Sequence, residues 1–408
     1  MYRIRICLYL LLLGICNHVS AQISDHICST IYSIDTTKVG ELYAEIDNLS
    51  FFKNNEYSGT VLKGYSLPGM WIQPKLTYNP IKNIHLELGM HALVYSGAYK
   101  YPAYAYRDIA NWKGDQYQKG THCLPFYRAQ FAWNNVNVVL GNLYGGANHN
   151  MIAPLYNQEL NLTADPEMGL QILYDLPHFH MDAWIDWQSY IFDFDTHQEA
   201  FMVGLSTRVD YTKNASRFHF YTPIQLLVQH RGGEQDDTDM GVQTLSNASF
   251  GVGMEWHANS RVLTSLNAEV NLAASYQQAG ELWPYGKGIG GYATINAKLW
   301  DKLICTASYF VGKDYISLSG IPYYGTISMK NTGAIYDKMN TLFGGLEYSR
   351  IFSKYFALGV KLDSYYVMPG TMMDADRNVV DTSSNLSFSF GVFLRVNPRF
   401  LIKRFKSN

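Results

Sequence analysis

Apolar and polar residues alternate strictly along much of this chain. From Leu386 onward, Leu386, Phe388, Phe390, Val392, Leu394 and Val396 fall on one face of an extended segment, and Ser387, Ser389, Gly391, Phe393 and Arg395 on the other. A period of two predicts a β-strand with one apolar side, because successive side chains point to opposite faces. The pattern recurs in Phe356, Leu358, Val360 and Leu362 against Ala357, Gly359, Lys361 and Asp363. It recurs again in Phe250 to His257 and in Thr264 to Leu272. Sixteen strands are predicted, near 39–47, 70–78, 84–95, 122–133, 136–143, 167–176, 179–188, 201–211, 217–230, 248–257, 262–276, 290–300, 303–311, 341–349, 356–367 and 386–396, with 14 and 18 as neighbouring counts.

The links between these strands alternate in length. Short ones such as Asn134-Asn135, Pro177-His178 and Asp301-Lys302 are built of turn-forming residues. Long ones run over 48–69, 96–121, 144–166, 189–200, 231–247, 277–289, 312–340 and 368–385. Tight turns interleaved with long loops predict an all-β fold, a transmembrane antiparallel up-and-down β-barrel with periplasmic turns and extracellular loops. The physical reason is backbone satisfaction: in hydrocarbon an unpaired amide is costly, and closing the sheet removes every edge. A soluble sandwich also alternates, so composition has to separate the two. Charged residues are only 16%, while 32 Tyr, 20 Phe and 8 Trp make up 15%. A surface so poor in charge and rich in aromatics suits acyl chains and interfacial girdles better than water.

The N-terminus changes the compartment. Arg3 and Arg5 precede an apolar run from Ile6 to Cys16, and Val19-Ser20-Ala21 supplies small residues ahead of Gln22. These are the parts of a secretory signal peptide, with cleavage expected after Ala21. The expected organisation is 1–21 signal peptide, 22–38 a short periplasmic segment, 39–400 barrel and 401–408 a periplasmic tail. Loss of the two arginines leaves 30 basic against 34 acidic residues, which gives no footprint for nucleic acid. Cys28, Cys123 and Cys305 remain after cleavage, an odd number widely spaced, and their pairing stays open.

If the apolar register faces lipid, the other register lines the lumen. The candidate lining residues are Glu87, Arg128, Asp165, Glu167, Asp182, Asp186, Arg208, Arg217, Glu255, Glu269, Lys361 and Arg395. Both signs are present, as in pores that select ions or orient dipolar solutes. In the long loops Tyr99, Tyr101, Tyr104, Tyr106, Trp112, Tyr323 and Tyr324 are candidates for stacking on sugar faces. The alternative for these rings is a small loop core. His85, Glu87 and His91 share a strand face, but residues two apart on a strand are about 6.6 Å apart, too far to hold one ion by themselves. No metal and no cofactor is expected, and no helix-borne His-Glu-x-x-His, Gly-x-Ser-x-Gly, glycine-rich phosphate loop or Cys-x-x-Cys pair occurs.

The architecture resembles outer-membrane porins, and the Ala21-Gln22 junction with Tyr-rich strands resembles exported proteins of Bacteroidetes-type bacteria. The resemblance implies the outer membrane of a Gram-negative cell, contact with outer-membrane lipid, and a homo-oligomer such as a trimer. It also implies that the third long loop folds inward, placing Asp165 and Glu167 at a constriction opposite Arg128 or Arg208. The reading that follows is a non-enzymatic channel for small polar solutes, saccharides among them. Two alternatives stand beside it: a surface barrel that binds capsule or polysaccharide through Tyr-rich loops, and an outer-membrane barrel hydrolase assembled from separated Ser, His and Asp residues.

Overall fold

The computed structural model describes residues 27–95, 120–192, 197–212, 216–233 and 241–405. The expected signal peptide and its expected cleavage point lie outside these residues, as do Tyr99, Tyr101, Tyr104, Tyr106 and Trp112. The alternating segments form β1 (Glu41–Glu56), β2 (Tyr65–Ile81), β3 (Ile84–Tyr95), β4 (Gly120–Trp133), β5 (Val136–Asn142), β6 (Met168–Leu176), β7 (Phe179–Ser189) and β8 (Ala200–Asp210). They continue as β9 (Phe218–Arg231), β10 (Gln243–His257), β11 (Leu263–Ala279), β12 (Lys287–Leu299), β13 (Leu303–Lys313), β14 (Met339–Ser353), β15 (Phe356–Val367) and β16 (Asn385–Val396).

Every strand pairs antiparallel with its chain neighbours, and β16 returns to β1 with Val396 opposite Asn48 and Phe388 opposite Glu56. The sheet is therefore a closed barrel of sixteen strands. The turns fall where the sequence places them: Asn134 takes φ 52°, a left-handed conformation that asparagine tolerates. The lipid register is equally clear, with Phe250, Val252, Val270 and Leu272 each more than half exposed on the outer face.

Several boundaries differ from the sequence reading: β1 and β2 run on to Glu56 and back to Tyr65, into the expected loop 48–69, and two further differences concern the chain ends. After Asn397-Pro398 the closing strand resumes as Arg399–Arg404 and pairs with Glu41 to Glu45, so residues expected as a tail belong to the sheet. Arg399 meets Glu45 at 2.9 Å and Arg404 meets Glu41 at 2.7 Å, supporting backbone pairs that β1 would otherwise leave unmade. The second difference is the segment 27–38, expected in the periplasm. Its start enters the lumen: Ile27 is buried, its carbonyl accepts from Arg395 Nη1 at 2.6 Å, and Tyr32 O accepts from Gln130 Nε2 at 2.6 Å.

The interior is filled at two levels. Toward the long-loop end, Leu143, Met151, Leu155, Tyr156 and Leu160 of the β5–β6 loop pack with Tyr315, Tyr323, Tyr324 and Tyr336 of the β13–β14 loop. Both loops press on wall residues Trp184, Met202, Leu227, Tyr292, Phe310 and Tyr365, so one apolar layer reaches across the barrel. The loops also clasp each other, Asn157 N donating to Ser319 O at 2.7 Å and Ser317 Oγ to Pro154 O at 2.6 Å. A cylinder of about 16 strands is too wide for its own wall side chains to fill, and inserted loops supply the missing volume. Toward the turn end, the entering N-terminal segment lies among charged side chains and leaves cavities of about 120, 220 and 390 Å³.

Candidate functional site

The sequence 145–149 carries the best-built polar cluster. Gly146 takes φ 62°, and a Cβ there would meet Asn161 Oδ1 at 2.0 Å, so only glycine fits. That turn lets Gly146 N donate to Glu167 Oε1 at 3.1 Å and Ala147 N to Asn161 Oδ1 at 2.9 Å. It delivers His149 to the wall, where Nδ1 lies 2.7 Å from Asp182 Oδ2 and Nε2 lies 2.6 Å from Glu167 Oε2. The ring stacks on Trp184 at 3.5 Å with 6° between planes. Burial opposes protonation, but the Glu167 and Asp182 carboxylates outweigh it and push the imidazole pKa up to about 10. With both nitrogens occupied, His149 is a cationic rivet between loop and wall and has no lone pair to offer a substrate.

The other candidate lining residues sort by their partners. Glu87 joins Lys75 and Arg128 at 3.2 and 2.9 Å, and Arg128 also donates to the carbonyls of Asn142 and Leu143. Arg395 clamps Asp47 through two bonds of 2.6 Å, Lys361 meets Asp363 at 3.3 Å, and Arg208 meets Asp210 and Glu255. Asp186 accepts from Met168 N at 2.9 Å, while Glu269 accepts from Tyr221 and Asn271. Asp165 lines the small cavity beside Glu167, and Arg217 is exposed at the turn end of β9. The constriction pairing expected of Glu167 with Arg128 or Arg208 does not form, because Glu167 binds His149 and each arginine has its own acids. Tyr323 and Tyr324 are each only 1% exposed, their faces taken by Tyr365 and Phe310 at 4.5 and 5.4 Å. They are plug residues, not exposed stacking platforms. Cys28, Cys123 and Cys305 are all free thiols.

One polar pair sits on the opposite side of the wall. The outward register of β9 reads Phe218, Phe220, Thr222, Ile224, Leu226, Val228 and then His230, at the end nearest the long loops. His230 lies across from Phe201 of β8 and Thr244 of β10. Its Nδ1 is 2.8 Å from Thr244 Oγ1, and its ring packs on Phe201 at 4.8 Å, which in turn stacks on Trp187 at 5.0 Å. An ionisable ring closing a lipid-facing row is unusual enough to be read as functional. The sequence reading does not single it out; the signal is the one ionisable residue in an outward row that is otherwise apolar but for Thr222. An imidazole on a hydroxyl can accept its proton and raise its nucleophilicity, which is the chemistry of acyl transfer.

Solved structures with a similar course include OccAB3 of Acinetobacter baumannii, at 9% identity over 88% of this chain and 99% of that one, with TM-score 0.47. Pseudomonas aeruginosa OpdK with vanillate follows at 9% identity over 89% and 100%, TM-score 0.46, and the trimer form of Vibrio cholerae OmpT at 11% over 88% and 98%, TM-score 0.44. No curated protein matches the chain in sequence. A family model does match, described as lipid A 3'-O-deacylase-type and covering residues 34–405. That is an enzyme family, and it overturns the expectation of a non-enzymatic barrel. Since the match runs from ahead of β1 through the closing strand, the chain belongs to the lipid A 3'-O-deacylase-type family.

Proposed function

We propose that this protein is an outer-membrane acyl-ester hydrolase that removes an O-linked acyl chain from a lipid A-type glycolipid of the outer leaflet. The observation that carries the reading is the His230–Thr244 pair on the lipid-facing wall at the long-loop end. Esters of an acylated saccharide lie at the boundary between head group and acyl chains, and a site on the outer wall meets them without drawing a lipid into the lumen. In this scheme His230 takes the Thr244 hydroxyl proton as Oγ1 attacks the ester carbonyl. The ester C–O bond breaks, the proton passes to the departing sugar oxygen, and water then cleaves the acyl-threonine to free fatty acid. Phe201 and Trp187 form an apolar flank for the acyl chain.

The test is release of fatty acid from lipid A in mixed micelles, read by mass spectrometry. His230→Ala is expected to lower the rate about 10²- to 10⁴-fold, the usual weight of a general base. Thr244→Val is expected to abolish it, and Thr244→Ser to retain it. Full activity in His230→Ala overturns the assignment.

A second reading, passage of small polar solutes such as saccharides, is favoured by the charged inward register and the cavity of about 390 Å³ at the turn end. It requires the apolar layer to move. Planar-bilayer recording separates the two: steps of open-pore size support passage, and a silent barrel that hydrolyses lipid supports the first reading.

A further inference from the structure

The outward register of the wall is mostly apolar, and at the long-loop end of three consecutive strands it closes in lysine. On β12, Lys287 is in phase with the exposed Ile289 and Ile295, and on β13, Lys313 is in phase with Tyr309. On β14, Lys338 precedes Met339 and is in phase with the exposed Leu342. All three lysines are exposed. Near the same end of the adjoining β15 and β16, the outward register holds Tyr366 and Leu386 instead.

The three are neighbours. Ile289 pairs with Lys313, which sets Lys287 on the diagonal from it. Gly312 pairs with Met339, and the next positions along the two strands are Lys313 and Lys338. Like charges facing across a strand pair repel. In the lumen a carboxylate removes that cost, Glu87 beside Lys75 at 3.2 Å and Asp363 beside Lys361 at 3.3 Å. Among the described residues none of the three rim ammonium groups has such an ion pair, Glu281, Asp314 and Asp337 being the acids nearest to them in the chain.

The level of the patch selects its partner. Tyr276, opposite Lys287, and Ile289 and Tyr309, next along the register, face outward as the aromatic and aliphatic side chains of a bilayer interface do. A lysine that closes such a row keeps its stem on the apolar wall and its ammonium at head-group height. We infer that Lys287, Lys313 and Lys338 bind the phosphate groups of an outer-leaflet lipid, acting as point charges. The pairs Ser246 with Tyr276 and Tyr276 with Lys287 put this patch two strands and two residues from Thr244, about 12 Å along the wall. A glycolipid with phosphate on its saccharide rests there with its acyl esters toward the His230–Thr244 pair, a consequence that depends on the ester reading.

The test is retention of bisphosphorylated lipid A by the refolded, lipopolysaccharide-free protein in maltoside micelles, counted by native mass spectrometry over a lipid titration. Any deacylated product keeps its phosphates and is counted with it. Lys287→Gln, Lys313→Gln and Lys338→Gln combined are expected to weaken retention about a hundredfold, about fivefold for each charge. Dephosphorylated lipid is expected to bind the unsubstituted protein that weakly, and Lys302→Gln at the turn end to change nothing. Heat-modifiable gel mobility checks assembly, and Lys287→Gln with Lys313→Gln serves where the triple variant fails to assemble. Three results overturn the inference: undiminished retention by an assembled variant, equal retention of the dephosphorylated lipid, or displacement by millimolar inorganic phosphate, which marks a free-anion site instead. Retention needs no ester cleavage, so a barrel that binds without hydrolysing strikes the ester reading alone, and one that hydrolyses without discriminating phosphate strikes this inference alone.

Discussion

The two levels of the lumen are built on opposite principles. Toward the long loops, tyrosines and leucines from two loops and the wall exclude water: Tyr323 stacks on Tyr365 with 13° between planes, and Tyr57 meets Tyr323 edge-on at 5.4 Å. Toward the turns, Arg128, Glu87, Lys75, Arg395 and Asp47 are tied by charge, and the chain between them leaves space. The apolar level gains from burial that needs no angular precision, at about 1.5–3 kcal/mol per large side chain. The charged level gains specificity at the expense of desolvation, and each ion there depends on its partner. One level therefore seals, while the other holds paired charges around open space.

The comparison breaks most sharply at the seal. Tyr323→Ala combined with Tyr324→Ala removes two fully buried rings, with an expected loss of about 3–5 kcal/mol each and the appearance of conductance in planar bilayers. A barrel that stays silent shows that the charged level closes the lumen by itself. Next in size, Glu87→Gln strands Lys75 and Arg128 as buried unpaired cations, an expected loss of about 3–5 kcal/mol in urea unfolding without any conductance. Leu362→Arg on the lipid face is expected to cost about 2–4 kcal/mol and to slow assembly, seen as loss of heat-modifiable mobility. Its inward neighbour Lys361→Gln affects neither assembly nor mobility to that degree.

A smaller effect reports on the rivet between the levels. The His149 pKa is raised in the folded state, so its charged contacts contribute fully below the ordinary imidazole range and are lost as pH climbs through about 10. Emission of Trp184, stacked on that ring, is expected to change over this alkaline window and to be flat in His149→Gln. Smallest of all, His230→Ala is expected to leave stability within about 0.5 kcal/mol while removing hydrolysis, since the ring sits at the wall's outer edge. A large loss of stability there marks His230 as structural.

Much of the barrel is legible in the amino-acid sequence. Leu386 to Val396 reads as the strand it is, and Asn134-Asn135 as the turn it makes, because a half-buried strand and a tight turn each leave a local signature. Less legible were the long-loop ends of β1 and β2, where Asn54, Asn55 and Glu56 look like loop but extend the ladder. The His149 site was half visible: Glu167 and Asp182 were named, His149 was not, since residues 18 and 33 positions from it meet only through the inserted loop.

The alternation of apolar and polar residues, taken with the lengths of the links and the scarcity of charge, determined a closed sheet of about sixteen strands and which register faces lipid. Those properties follow from hydrogen bonding and burial between chain neighbours, and a two-residue period encodes them directly. Only the tertiary structure decided what fills the cylinder. A tyrosine in a long loop reads the same whether it meets water, a sugar or another ring, and the choice rests on contacts such as Tyr323 with Tyr365 between segments far apart in the chain. The same holds for His230 and Thr244, which no spacing joins and one register of the folded wall brings to 2.8 Å.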